Sequence, residues 1–250
     1  MNRSYVLLTV VAGLYLNTLS AMAHEFTWDN LAFASIKLNP EFDIDANVDW
    51  YIEEYRPDVW KKYRNDEFLF REKWEESREL LRQRIAQFNL EETFVIRGNL
   101  RIGEYNFESQ EFPLEPNGSQ SYWYESSYKY SDVLPSTMKV YFTNHEFMRA
   151  LRLDRNSVKN LVTSRKDAYG NIDRAIYANI EMRIVKLEAA GELKAEALSV
   201  TYYSDSARTR PLGPKLVWTR PKTEEDKPLA SGISGDSLSA DNDGGVVANP

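Results

Sequence analysis

The clearest alternation of apolar and polar residues runs through positions 174–203. From Ile176 to Ile184 every second residue is apolar and the residues between them are polar. Successive side chains of a strand point to opposite faces, so this pattern predicts a strand with one buried face. Leu193–Tyr203 alternates in the same way and changes parity after Ala197. With Gly191 at the turn, the two runs predict a long β-hairpin.

A helix over Ile184–Ala197 is the competing interpretation, because Glu, Ala, Leu and Lys favour helices. The alternation also weakens from Val185 onward, which a bulge or a second covered face would explain. The β-rich segments on either side favour the hairpin.

A helical spacing of apolar residues marks residues 65–88. The residues on the apolar face of this segment are Phe70, Trp74, Leu81, Ile85 and Phe88. We expect an amphipathic helix that covers one face of a sheet. We also predict an earlier helix that ends near Tyr55 and is capped by Asp43 or Asp45. Phe26–Leu38 is compatible with either a helix or a strand.

Shorter patterns predict the remaining elements. They are a hairpin over Phe94–Leu114, strands over Ser121–Tyr130 and Met138–Phe142, a short helix to about Leu151 begun by a capping box at Thr143–Glu146, a helix to about Arg165 capped by Asp154, and an edge strand at Leu216–Trp218. Together the patterns predict an α+β domain over residues 24–220. An antiparallel β-sheet of about six to eight strands would be covered on one face by N-terminal amphipathic helices.

The two ends of the chain differ from this domain. Residues 1–23 have the pattern of a secretory signal peptide, with Arg3, an apolar run at Val6–Leu16 and a small-residue cleavage site at Ala21–Ala23. The run is too short to span a bilayer, and we predict no transmembrane segment. Residues 221–250 predict a disordered acidic tail rich in Gly and Ser. We therefore expect a periplasmic or secreted protein.

Composition narrows the possible functions. The chain has no cysteine, which excludes a Cys nucleophile, and its formal net charge of −7 disfavours nucleic acid as a partner. The 42% hydrophobic and 13% aromatic content is ample for a packed core. We find no phosphate-binding loop, dinucleotide fingerprint or nucleophile elbow, so we predict no cofactor.

Three short stretches carry a resemblance. They are Asn65–Phe68, Ile102–Phe107 followed by Phe112–Leu114, and Gly170–Arg174. Their combination resembles an uncharacterised family of exported bacterial proteins, a domain of unknown function, over roughly residues 39–203. The resemblance implies export but attaches no activity and transfers no functional residue.

Two residue patterns suggest possible metal sites, one for copper and one for calcium. Cleavage after Ala23 would make His24 the first residue, and its amine and ring together with His145 would give three nitrogen ligands for copper. The alternative is that both histidines are ordinary surface residues. Asp43, Asp45, Asn47, Asp49 and Glu54 fit the spacing of a calcium loop, but Val48 stands where glycine is needed, and helix capping explains the early acids more simply. We assign no metal ligand.

Aromatic residues crowd the predicted strand at 121–130. They are Tyr122, Trp123, Tyr124, Tyr128 and Tyr130. Rings on an exposed face could stack on glycan, and the alternative is a core strand whose hydroxyls reach the surface. Tyr124 and Glu125 point to opposite faces and make no site by themselves.

No catalytic constellation emerges, and we assign no catalytic residue. The sequence therefore favours a non-enzymatic binding or envelope-interaction module with an unknown protein or glycan partner in the cell envelope. The alternatives are a carboxylate-based hydrolase of cell-wall glycan, since carboxylates carry no local signature, and a copper-binding protein that uses His24.

Overall fold

The computed structural model describes residues 23–115 and 121–219. The predicted signal peptide, apart from Ala23, and the predicted tail lie outside these ranges. Within them the helices are α1 (Trp28–Leu38), α2 (Val48–Tyr55), α3 (Pro57–Tyr63), α4 (Glu67–Gln87) and α5 (Arg155–Ser164). The strands are β1 (His24–Glu25), β2 (Phe94–Ile102), β3 (Glu111–Glu115), β4 (Tyr122–Ser126), β5 (Thr137–Phe142), β6 (Ala150–Arg152), β7 (Ala175–Ala189), β8 (Glu192–Tyr203) and β9 (Leu216–Val217).

The described strands form one sheet in the order β4-β5-β8-β7-β2-β3-β6, with β1 beside β2 and β9 beside β8. The α+β class is thus confirmed, but the sheet is mixed where we predicted antiparallel pairing. The pairs β5–β8 and β1–β2 are parallel. Between β5 and β8 the chain passes through β6, α5 and β7, and such a long connection lets β8 return beside β5 in the same direction.

The predicted hairpin is confirmed as β7 and β8, the longest pair of the sheet. Alternate residues of β7 from Ile176 to Ile184 are buried. In the facing strand β8, Ala197 and Ser199 pair with consecutive residues of β7, so Leu198 has no partner and forms a bulge. This bulge accounts for the change of parity in the sequence of β8. Gly191 has φ +72 at the turn, and a Cβ there would lie 2.3 Å from Pro135 Cγ, so only glycine fits.

The main core joins buried residues of the sheet with buried residues of α1. Helix α1 contacts β5 and β7, and its residues from Leu31 to Ile36 are all buried. Burial on every side explains why its sequence shows no helical period; the side chain of Thr27 accepts a bond from Asn30 N and caps it. Helix α4 packs mainly on α2, α3 and α1. Its Leu81 enters the main core, and Trp74 packs on a second cluster beneath α2 and α3.

The capping box at 143–146 does not start an α-helix, so that prediction was wrong. The segment is a 3-10 helix, His145–Met148, and the chain then enters β6. The side-chain amide of Asn144 pairs with the backbone of Ala197 instead, accepting from its N–H and donating to its carbonyl at 2.9 Å each. A long-range contact has replaced the local cap.

The strand that we predicted over 121–130 is shorter than expected, because it ends at Ser126.

The sheet curls strongly. Three strands separate β4 from β2 in the pairing order, yet the Trp123 indole of β4 reaches Gly98 of β2. A methyl group on Gly98 would lie 2.1 Å from Trp123 Cη2, far inside van der Waals contact. The curl thus brings one edge of the sheet close to its opposite part.

Candidate binding groove

An open groove of about 680 Å³ lies between the β2–β3 connection and α5. We call it the α5 groove. Aromatic and aliphatic side chains form most of its wall, and basic side chains lie among them. The lining residues are Glu104, Tyr105, Phe107, Gln110, Phe112, Arg155, Val158, Lys159, Val162, Thr163, Ile172 and Arg174.

The first wall is a turn that its own residues hold. The Asn106 side-chain oxygen accepts hydrogen bonds from the N–H groups of Glu108 at 2.8 Å and Ser109 at 3.1 Å. This is the bonding that an Asn side chain supplies in turns. The turn presents Phe107, which is 81% exposed, and its ring meets Tyr105 edge-on with the centroids 5.0 Å apart. Exposed Phe107 and partly buried Tyr105 therefore form one side of the groove.

Helix α5 is the second wall. The Asp154 carboxylate accepts from the N–H groups of Asn156 and Ser157, which is the predicted cap. The helix ends at Ser164. Residues four apart lie on the same face of a helix, so Val158 and Val162 form an apolar strip along the groove.

A turn between α5 and β7 closes the third side. The Asp167 carboxylate accepts from the N–H of Asn171 at 2.8 Å and from its side-chain amide at 3.0 Å. The hydrogen bond from that amide is the main cause that lowers the pKa of Asp167 below its ordinary value. The turn places Ile172 and Arg174 in the groove, where Arg174 Nη1 donates to the carbonyl of Gly103 in the first wall.

The groove is electropositive in an acidic protein. Arg155, Lys159 and Arg174 lie along it, and the structure shows no ion pair for any of the three within the described residues. Glu104 is the one carboxylate among the described lining residues. An apolar floor with a surplus of cations suits a ligand that has an apolar body and a negative charge.

Residues 43–164 match the model of a family described as Domain of unknown function (DUF4852). The resemblance to an uncharacterised family is therefore confirmed for this stretch. Searches of the curated proteins and of the solved structures gave no match. The DUF4852 stretch contains the first wall of the groove and all of α5. Two of the sequence stretches that carried the resemblance, Ile102–Leu114 with its turn and Gly170–Arg174, meet in the groove.

The histidines that raised the copper hypothesis have different surroundings. The His24 ring stacks on Phe88 with the centroids 4.7 Å apart, and its Nε2 lies 3.3 Å from Glu92 Oε2. His145 Nε2 lies 3.1 Å from Glu146 Oε1. Across residues 23–115 and 121–219, no group of three or more His, Asp or Glu side chains could hold a metal ion.

The calcium-spaced residues do not form a loop. Asp45–Asn47 is a 3-10 helix, and α2 follows directly at Val48. Asp45 pairs with Arg78 at 2.5 Å, and buried Asn47 donates to the carbonyl of Asp43 at 2.7 Å. The carboxylate of Asp43 accepts from Ala46 N within this turn, but the prediction that Asp43 or Asp45 caps α2 was wrong, because the N-cap residue of α2 is Asn47 and it makes no side-chain cap bond. Asp49 and Glu54 lie on α2.

The aromatic residues of 121–130 divide between two faces of β4 and the loop after it. Tyr122 and Tyr124 are exposed on the outer face, while Trp123 points inward beside buried Val140. Tyr128 and Tyr130 lie beyond the strand, in the loop. The rings of Tyr122 and Tyr124 are inclined at 61°, so they do not form one flat platform.

Sequence reasoning missed the residues that line the α5 groove. The sequence did contain one usable signal. Two basic residues, Arg155 and Lys159, are four positions apart, and so are two apolar residues, Val158 and Val162. Nothing local indicated that the turn at 103–110 would face them.

No helix in the part of the chain that the structure describes has the length and apolar content to cross a membrane.

Proposed function

We propose that this protein is an exported, non-enzymatic binding module and that its α5 groove receives a small amphiphilic anion. The observation that carries the proposal is the apolar groove bordered by Arg155, Lys159 and Arg174. These cations lie beside an apolar surface and have no carboxylate partner within the described residues. A carboxylate, sulfonate or phosphate head group would supply that partner while its apolar body covers the aromatic wall.

The size of the groove supports a small ligand. Its volume of about 680 Å³ falls in the range of roughly 300–1,000 Å³ that is typical of small-molecule sites. Such sites combine an apolar lining with a few polar groups that orient the ligand, and the α5 groove has this composition. Glycoside hydrolysis needs two facing carboxyls, and the described lining offers Glu104 by itself, so the groove supports binding over hydrolysis.

Export rests on the signal-peptide pattern of residues 1–23. A periplasmic or secreted location would place the groove among envelope lipids and other amphiphiles, which pair acyl chains with anionic head groups. Cell fractionation with N-terminal sequencing tests this part. A periplasmic chain that begins at His24 is the expected result, and an intact precursor in the cytosol would contradict it.

Fluorescence titration with 8-anilinonaphthalene-1-sulfonate, an aromatic amphiphilic anion, tests the groove. We expect saturable binding that weakens at least about tenfold, or about 1.4 kcal/mol, in Lys159→Glu. Lys61→Glu is the matched control, since exposed Lys61 on α3 undergoes the same change of charge away from the groove. Near-UV circular dichroism must show that both variants are folded.

Two results would overturn the proposed groove. Equal weakening in Lys159→Glu and Lys61→Glu would mean that net charge alone attracts the probe. Unchanged binding in both variants, with Phe107→Ala also without effect, would place the probe elsewhere on the protein.

A further inference from the structure

A second cleft, also of about 680 Å³, lies where the curled sheet brings β4 towards β1 and β2. We call it the β2–β4 cleft. Its surface is more polar than that of the α5 groove. The lining residues are Ala23, His24, Glu25, Phe26, Thr27, Val95, Ile96, Arg97, Gly98, Asn99, Trp123, Tyr124 and Glu125.

The side of β4 that faces the cleft is an open strand edge. The N–H of Ser127 donates to the carbonyl of Ser136 at 2.8 Å and continues the ladder between β4 and β5. Hydrogen-bonded pairs alternate along an antiparallel ladder, so the backbone groups of Tyr122, Tyr124 and Ser126 point away from β5. Within the described residues, β4 pairs with no strand besides β5.

The facing part of β2 is open as well. The N–H of Ile102 donates to the carbonyl of Arg174 at 2.9 Å, and the same alternation turns the backbone groups of Arg97 and Asn99 away from β7. On that side β1 pairs no further than Val95, and the pairing with β3 starts at Arg101. Between these limits the described chain supplies no strand partner.

The inner wall of the cleft carries a carboxylate without a cation. Glu125 points to the same face of β4 as Trp123, opposite buried Met138. The structure shows no hydrogen bond or ion pair to its carboxylate from the described residues. Partial burial raises the pKa of Glu125, which is the direction expected for a carboxylate that no cation contacts.

We propose that the β2–β4 cleft accepts an extended peptide segment of a partner protein, which adds as a strand to the open edge of β4 and directs a basic side chain to Glu125. Alternating donors and acceptors on a strand edge are matched by another extended backbone. Short β1 already binds the start of β2 in this manner, in parallel. The uncompensated carboxylate supplies the preference for a cation.

A second copy of this chain fits the cleft less well than a basic peptide. The β4 strand of another copy would bring the sequence Tyr-Trp-Tyr-Glu-Ser, which contains no basic residue. It would therefore leave Glu125 without a cation and add a second carboxylate to the edge. An inward-pointing charge on an edge strand, such as Glu125, is also a feature by which natural proteins prevent self-pairing.

The first test uses the full protein and synthetic peptides of about seven residues that alternate valine and lysine, a length matched to short strands. Fluorescence anisotropy should show saturable binding. The same peptide with N-methylated backbone amides keeps every side chain but loses its donors, and it should bind at least about tenfold more weakly. A valine–glutamate peptide should also bind more weakly. Equal binding of the methylated peptide would overturn the proposal.

The second test changes the protein. Tyr124→Pro removes an N–H that points away from β5, so the ladder of β4 with β5 stays intact. Tyr124→Ala is its matched control, because it loses the same ring and keeps the N–H. We expect Tyr124→Pro to bind the valine–lysine peptide at least about tenfold more weakly than Tyr124→Ala, with unchanged near-UV circular dichroism.

Three results would contradict the peptide proposal. Equal affinity of the two variants would mean that the edge is not used. Absence of binding to the unmodified protein would mean that the cleft does not take peptides. Sedimentation that shows a dimer which Tyr124→Pro makes monomeric would make the second copy its occupant.

Discussion

The α5 groove and the β2–β4 cleft have similar volumes but arise in different ways. The walls of the groove are turns and caps that close within a few residues, as Asn106 with Ser109, and Asp167 with Asn171, show. The cleft depends on pairings along the whole sheet that bring β4 to β2. Each wall of the groove follows from local bonding, although the fold brings the walls together, whereas the cleft as a whole depends on the complete sheet.

The largest effect is expected at the contact between Gly98 of β2 and Trp123 of β4. Gly98→Ala places a methyl group 2.1 Å from Trp123 Cη2, so the indole or the β4 edge must move. We predict that the free energy of unfolding falls by about 1–3 kcal/mol, as is usual for overpacking. Urea unfolding at neutral pH measures it.

The Trp123→Ala background isolates the contact. Without the indole, alanine at Gly98 loses its three closest contacts, all of them with Trp123, and in a strand it should be neutral or stabilise by up to about 1 kcal/mol. The two substitutions should therefore be strongly non-additive. Additive effects would show that Gly98 and Trp123 do not meet, and the closeness of β4 to β2 would then be wrong.

A smaller effect is expected in the groove. Asn106→Ala removes the acceptor of two backbone N–H groups and should cost about 1 kcal/mol of unfolding free energy. Because the turn positions Phe107, the affinity for the sulfonate probe should fall as well. Ser109→Ala is the control, since Ser109 lies in the same turn and uses its N–H. Equal loss in both variants would mean that the Asn106 side chain does not organise the wall.

Local signals in the sequence predicted most of the elements. The parity of β7 and the Asp154 cap of α5 both depend on neighbouring residues, and the structure has them. The same reasoning was wrong at Asn144, because its amide bonds to Ala197, a residue 53 positions away. The local pattern also could not predict whether two strands pair in parallel or antiparallel. The strands β5 and β8 are parallel, because a long crossover connects them.

The candidate sites follow the same division. The stretches that carried the family resemblance contain several lining residues of the α5 groove, but no pattern in the sequence showed that they form a site. The β2–β4 cleft left no trace in the sequence, since Gly98 and Trp123 gain their relation from strand order. Sequence alternation did place Tyr124 and Glu125 on opposite faces, and that placement decides which groups the cleft exposes.

The smallest effects concern one carboxylate from each region, and we predict that their pH dependences have opposite signs. Hydrogen bonds from the Ser157 hydroxyl and N–H hold the pKa of Asp154 below its ordinary value. Its contribution to stability is present above the ordinary aspartate pKa and is lost as the pH falls. Asp154→Asn, which keeps a capping oxygen, should therefore destabilise at about pH 7 and lose that effect towards about pH 3.

For Glu125 the sign reverses, because burial raises its pKa. A carboxyl of this kind favours the folded state below the ordinary glutamate pKa, and the contribution disappears as the pH rises through the raised value. Glu125→Gln should accordingly stabilise the protein at about pH 7 and have little effect at about pH 3. Urea midpoints of both variants at the two pH values measure the contrast. A Glu125→Gln variant that is less stable at neutral pH would mean that the carboxylate already has a cation, and the cleft would then have no preference for a basic peptide.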